Sequence, residues 1–201
     1  MSCTHISRGS TVEDCDLPQE GTRARLILIN FDDVYKIYTN DDGKIIDVQL
    51  LPGTVGYEFT GFRNDMRKSE ESLKTAGNKK RFIHRCGFII YEVDQVQKLN
   101  IKDIAKGRFI AIVEGKGEED DSIELLGKDC GLQIDAGQIR SAYDTGGVFQ
   151  INLSTPDNGI EFERKLPQTL GTDYDNGQDI IDDIIIPSDV LALDYTLDFT
   201  L

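Results

Sequence analysis

Two apolar runs mark strands, the first centred on Leu26-Ile27-Leu28-Ile29 within Arg23–Asn30. The second, Arg108–Glu114, is apolar on both faces, through Phe109, Ala111 and Val113 on one and Ile110 and Ile112 on the other, as a strand in the middle of a sandwich is. A third run, Arg81 to Val93 (RFIHRCGFIIYEV), is rich in β-branched and aromatic residues and free of proline. Its second half sets Cys86, Phe88 and Ile90 against Ile89, Tyr91 and Val93, apolar on both alternating faces. Its first half sets Arg81, Ile83 and Arg85 against Phe82 and His84. The pattern predicts one long strand running from a charged, projecting end into a buried core. At about 3.3 Å per residue it reaches roughly 40 Å.

Shorter patterns fill the rest. Asn40-Asp-Asp-Gly43 is turn chemistry between Tyr35–Thr39 and Lys44–Leu51, where Ile46, Val48 and Leu50 alternate with Ile45, Asp47 and Gln49. That predicts a half-buried hairpin. Val55 to Phe62 resumes as a strand with Val55, Tyr57 and Phe59 on one face. Residues 63–80 are polar throughout and predict a long loop, the tip of a hairpin whose stalk is 55–62 and 81–93. Asn100 as N-cap, an apolar stripe of Ile101, Ile104 and Ala105, and Gly107 as the stop predict a short helix over 101–106, with Asp103 near its start. Further short strands are predicted at 122–126, 132–136, 148–153 and 159–164.

Residues 1–21 have no apolar period and predict an N-terminal arm. Beyond Lys165, Pro167, Gly171, Pro187 and eight aspartates between Asp173 and Asp198 predict a C-terminal arm over 166–201. The fold class is therefore mainly β: an antiparallel β-sandwich or partly closed barrel over 22–165, with one short helix, a long hairpin at 55–93 and extended arms at both ends.

Composition narrows the function. With 36 acidic against 22 basic residues the net charge is −14, which argues against non-specific binding to free DNA, though not against a wall that nucleic acid slides past. No apolar run approaches a membrane span and no hydrophobic signal region opens the chain, so manufacture and assembly in a cytosol are expected. Cys3, Cys15, Cys86 and Cys130 show no C-x-x-C spacing and are expected to be plain thiols.

Catalytic chemistry is sparse. Of the two histidines, His5 lies in the arm, and His84 shares a strand face with Cys86 at about 6–7 Å, so a structural histidine is expected in preference to a thiolate–imidazole pair. Asp173-Tyr-Asp-Asn-Gly177 is not a calcium loop: with Gly177 sixth, the first and third ligands would be Thr172 and Tyr174. No catalytic residue, metal ligand or cofactor is predicted. The best-defined cluster is basic: Arg63, Arg67, Lys68, Lys79, Lys80, Arg81 and Arg85. It is either a solvated loop or a contact surface for an acidic patch on another subunit, since no aromatic platform accompanies it for nucleic acid.

The last nine residues alternate cleanly. Leu193, Tyr195, Leu197, Phe199 and Leu201 fall on one face, and Asp194, Thr196, Asp198 and Thr200 on the other. This predicts a strand with one buried face, which must pair; the long stretch before it favours pairing with a neighbouring copy.

Three stretches carry a resemblance: Leu17–Asn30 (LPQEGTRARLILIN), Gly56–Phe62 (GYEFTGF) and Phe162–Leu170 (FERKLPQTL). Together they resemble a structural protein of the crAss-like tailed bacteriophages that infect gut Bacteroidales. The likeness implies a tail-tube-like sandwich with a flanking helix and a long hairpin, assembled as a homo-oligomeric ring of the tail or connector around a DNA-passage channel. It implies a virion location after assembly in the bacterial cytoplasm, partners among copies of itself and other tail, portal or capsid proteins, and no catalytic residue. Subunit contacts are expected at Arg63, Arg67, Lys79, Lys80 and Arg81 and at the C-terminal apolar face. The alternative is a capsid-associated or fibre-attachment protein using the sandwich as a binding module. A small hydrolase or calcium-dependent carbohydrate binder is the third reading.

Overall fold

The computed structural model describes residues 22–60, 67–76, 79–90, 95–115, 123–135, 140–141, 149–156, 163–171 and 177–185. The two apolar runs lie side by side at its centre, as strand β1 (Thr22–Asn30) and strand β7 (Phe109–Gly115), paired antiparallel with Leu26 opposite Val113 and Leu28 opposite Ala111. Between them in sequence come a 3-10 turn (Phe31–Asp33), β2 (Val34–Thr39), β3 (Ile45–Leu50), β4 (Tyr57–Thr60), β5 (Arg67–Ala76), β6 (Lys79–Ile90) and helix α1 (Gln95–Ile104). After β7 follow β8 (Ile123–Leu126), β9 (Gln133–Ile134), β10 (Arg140–Ser141), β11 (Phe149–Ser154), β12 (Gln168–Thr169) and helix α2 (Gln178–Ile185).

These strands form an antiparallel, mainly β architecture without a closed barrel. The first sheet has the order β12-β8-β7-β1-β4, the second β10-β11-β6-β5 with β9 also on β11, and β2-β3 is a separate hairpin. Leu26 and Leu28 of β1 and Ala111 and Val113 of β7 face the second sheet, where Cys86, Phe88, Ile151 and Leu153 meet them and Ile101 and Ile104 of α1 close the layer. Ile27, Ile29, Ile110 and Ile112 face the other way, onto Ile45 and Val48 of the hairpin and Ile180, Ile181 and Ile184 of α2. The first sheet is therefore the middle of three layers, which is why its central strands need no polar face. Each such aliphatic side chain contributes about 1.5–3 kcal/mol of burial.

Several expectations are corrected. The polar stretch expected as loop holds β5, paired along β6 from Arg67 opposite Gly87 to Ala76 opposite Lys79. The hairpin's stalk is thus β5 and β6, while β4 pairs with β1. The expected helix at 101–106 starts earlier, at Gln95, so Asn100 is interior and Asp103 sits near the end. Of its predicted contacts, Ile101 and Ile104 are buried, while Ala105, one residue past the helix end, is exposed. The expected arm past Lys165 contains β12 and α2: the aspartates of α2 alternate with isoleucines at helical spacing, and Ile180, Ile181 and Ile184 are buried. On β3 the buried residues are Ile45 and Val48 rather than alternate positions. A register shift beside Thr39 leaves Ile46 as an extra residue and flips the parity.

Residues 1–21, Arg63 and 186–201, with Leu193, Tyr195, Leu197, Phe199 and Leu201, lie outside the described residues. No described helix is long and apolar enough to cross a membrane.

Candidate functional site

A buried polar cluster lies where β6, the turn after β8 and the segment before β12 converge. Gly127 and Gly131 bracket that turn at φ values of 79° and 72°, a backbone that only glycine takes without strain, and the Gly131 N–H donates to the Gly127 carbonyl at 2.9 Å. This conformation aims successive amides inward. Gly127 N–H donates to Nδ1 of His84 at 3.1 Å, and His84 Nε2 meets the Lys165 carbonyl at 2.9 Å. The ring's two neighbours require the Nε2–H tautomer, because Nδ1 accepts.

Glu163 is the second anchor and is 1% exposed. Its carboxylate accepts from the backbone N–H of Asp129 at 3.0 Å and of Cys130 at 3.1 Å, and from the Cys130 thiol at 3.2 Å. Reciprocally, Arg164 N–H donates to the Asp129 carboxylate at 2.8 Å, and Phe82 N–H to the Glu163 carbonyl at 3.1 Å. Thr155 ties in β11: His84 N–H donates to its hydroxyl oxygen at 3.0 Å and Thr155 N–H to the His84 carbonyl at 2.9 Å.

A cleft of about 230 Å³ opens beside this cluster, lined by His84, Lys128, Glu163, Lys165 and Gln168 among others. Burial, and then the Lys165 charge, hold the Lys128 ammonium below its ordinary pKa against the pull of Asp129 and Glu163, and its amine donates to Gln168 Oε1 at 2.9 Å. Both nitrogens of His84 and both oxygens of Glu163 are engaged with the protein's own backbone. Chemically, the arrangement straps three chain segments together: its thiol–carboxylate contact, Cys130 to Glu163, is buried, and His84 forms no nucleophile–base pair within it.

Cys86 does not complete one. Burial pushes its thiol up to about 12, far from the range in which a thiolate attacks at neutral pH. In the folded protein Cys86 should resist iodoacetamide in mildly alkaline buffer and react only in denaturant. Mass spectrometry of the labelled peptide checks this, and prompt labelling without denaturant would contradict the burial argument.

The basic residues are spread out by the structure. Lys79, Lys80 and Arg81 sit at the closed end of the β5–β6 hairpin, opposite Ala76, Thr75 and Lys74. Arg67 stands opposite Gly87, about 20 Å back along the strand from Arg81. The expected cluster is therefore one tip triad joined by Lys74, with Arg67 and Lys68 near the body. Glu163 entered the sequence reading only as a member of the short strand expected at 159–164. No signal in the sequence marks it as buried.

A third feature is the outer edge of β4, the end strand of the first sheet. Inward from that edge, on the face toward α1, Leu28, Tyr57, Phe59, Ile104 and Phe109, with Asn30 and Asp103, line a cleft of about 320 Å³. Phe59 packs on Phe88 with ring centroids 5.0 Å apart, while Tyr57 is 53% exposed. Among the described residues, no group of three or more His, Cys, Asp or Glu is placed to hold a metal ion.

No family model, curated protein or solved structure matches this chain.

Proposed function

We propose that this chain is a structural subunit of a tailed-bacteriophage virion, assembling with copies of itself into a ring of the tail or connector through which DNA passes. The β5–β6 hairpin is the observation that carries this reading. β11 reaches β6 only over residues 85–90, and Glu163 adds one bridge at Phe82. The outer rungs, residues 74–76 with 79–81, extend past both. They put Lys74, Lys79, Lys80 and Arg81 at the end of a two-stranded arm on a chain of net charge −14. A basic arm on an acidic body is complementary to the body of an identical neighbour, which is what a closed head-to-tail assembly requires. The acidic remainder suits a channel wall, since it repels phosphates and lets DNA slide.

The purified chain should form a closed multimer by light scattering and negative-stain imaging. Changing Lys79, Lys80 and Arg81 together to glutamate should abolish it. Charge changes at a hairpin end, away from the core, typically shift stability by about 0.5 kcal/mol or less, so the melting temperature of that variant should move little. Rings of unchanged size in the triple variant would remove the hairpin tip from the interface. A wild-type chain that stays monomeric or trimeric points instead to a capsid-associated or fibre-attachment protein.

A further inference from the structure

The edge of β4 lacks a neighbouring strand among the described residues, and the chain leaves the described structure beside it. The Ile184 carbonyl accepts from the Gly56 N–H at 2.9 Å, one residue before β4 begins. At its other end α2 is tied to the same strand pair: Arg25 donates to Gln178 Oε1 at 3.2 Å and to Glu58 at 2.7 Å. Helix α2 therefore delivers Ile185 to the start of β4, in a fixed place.

We propose that the edge of β4 is filled by the chain's own C-terminal residues 193–201, added antiparallel as a sixth strand of the first sheet. Three observations converge. The pattern of 193–201 demands a partner on one face, with Leu193, Tyr195, Leu197, Phe199 and Leu201 in line. Tyr57 and Phe59, opposite Leu28 and Leu26, carry the apolar face of the sheet out to its edge, where Tyr57 is 53% exposed. A strand laid on β4 sets its apolar residues in the same row as Tyr57 and Phe59, where aromatic cross-strand pairs are favourable. Finally, residues 186–192 supply seven links, about 23 Å of reach at roughly 3.3 Å each. Crossing the four residues of β4 to begin an antiparallel pairing takes only about 13 Å.

The sequence alone favours a neighbouring copy for this strand, because the proline- and aspartate-rich stretch before it, 166–190, is long enough to reach one. With α2 folded onto the sheet, the tether is short and begins beside the acceptor. A short tether gives an effective concentration in the millimolar range, which a second copy in dilute solution cannot match. The inference holds whether or not the protein forms a ring.

Amide exchange at a dilution where the chain is monomeric tests it. Removing residues 193–201 should speed exchange at residues 57–60 at least tenfold and leave Ile110–Val113 unchanged. Leu197→Asp in the full chain should do the same, and carries the test if the truncated chain fails to fold. Equal rates at 57–60 in wild type and Leu197→Asp overturn the docking. Rates at 57–60 that slow only as concentration rises overturn the own-chain source and assign the strand to a neighbouring copy.

Discussion

Phe88→Ala should destabilise the protein by about 3–5 kcal/mol, the usual cost of removing a fully enclosed aromatic ring. Phe88 is 1% exposed, lies in the layer between the two sheets and meets Phe59 of β4 at 5.0 Å between ring centres. Truncating it opens a void between β6 and the first sheet that neighbours on rigid ladders cannot close. Against a typical stability of about 5–15 kcal/mol, that loss brings the chain near its folding limit. Ile112→Val, equally buried but one methyl smaller, should cost only about 0.5–1.5 kcal/mol. Urea unfolding of both variants checks the pair. A cost for Phe88→Ala no greater than that for Ile112→Val would mean that the sheets are not held together there.

Glu163→Ala should cost about 2–4 kcal/mol for a different reason. The substitution deprives the amides of Asp129 and Cys130 of their acceptor: the buried Cys130 N–H left without a partner costs about 1–3 kcal/mol, and the partly solvated Asp129 N–H adds about 1 kcal/mol. Glu163→Gln keeps one acceptor oxygen and turns an amide NH2 toward the donors, so it should be intermediate. The loss should be local first: exchange at residues 128–131 should rise before the sheet amides respond. Wild-type stability in Glu163→Ala would show that the carboxylate is not what secures the turn.

The central sheet was legible because its strands advertise themselves. Leu26–Ile29 and Phe109–Val113 have no polar face, and the Asn40–Gly43 turn places the β2–β3 hairpin between them. The β5 strand was not legible. RKSEESLKTA has neither alternation nor β-branched residues beyond one threonine, and it is a strand because β6 pairs with it, a case of context overriding propensity. Helix α2 carried a signal, Ile180, Ile181 and Ile184 on one stripe, but the aspartates between them obscured it. The polar cluster was half legible: His84 read as a structural histidine, and both its nitrogens are held by backbone groups. Its partners Gly127 and Lys165 lie far away in sequence and carry no pattern that points to it.

The double covering of the middle sheet leaves β1 with a problem of alignment. A strand with one wet face is locked in place because a slip by one residue would turn its apolar set toward water. In β1 the same slip would only exchange Leu26 and Leu28 for Ile27 and Ile29, isomers of equal volume entering equally dry layers. Oil–water sorting is thus blind to the error, and the correct alignment must be written at the strand's ends. Arg25 reaches Glu58 on one side of the run, and beyond Asn30 the Phe31 N–H donates to the Arg108 carbonyl at 2.8 Å. The polar residues flanking the apolar run act as the index marks that the run itself lacks.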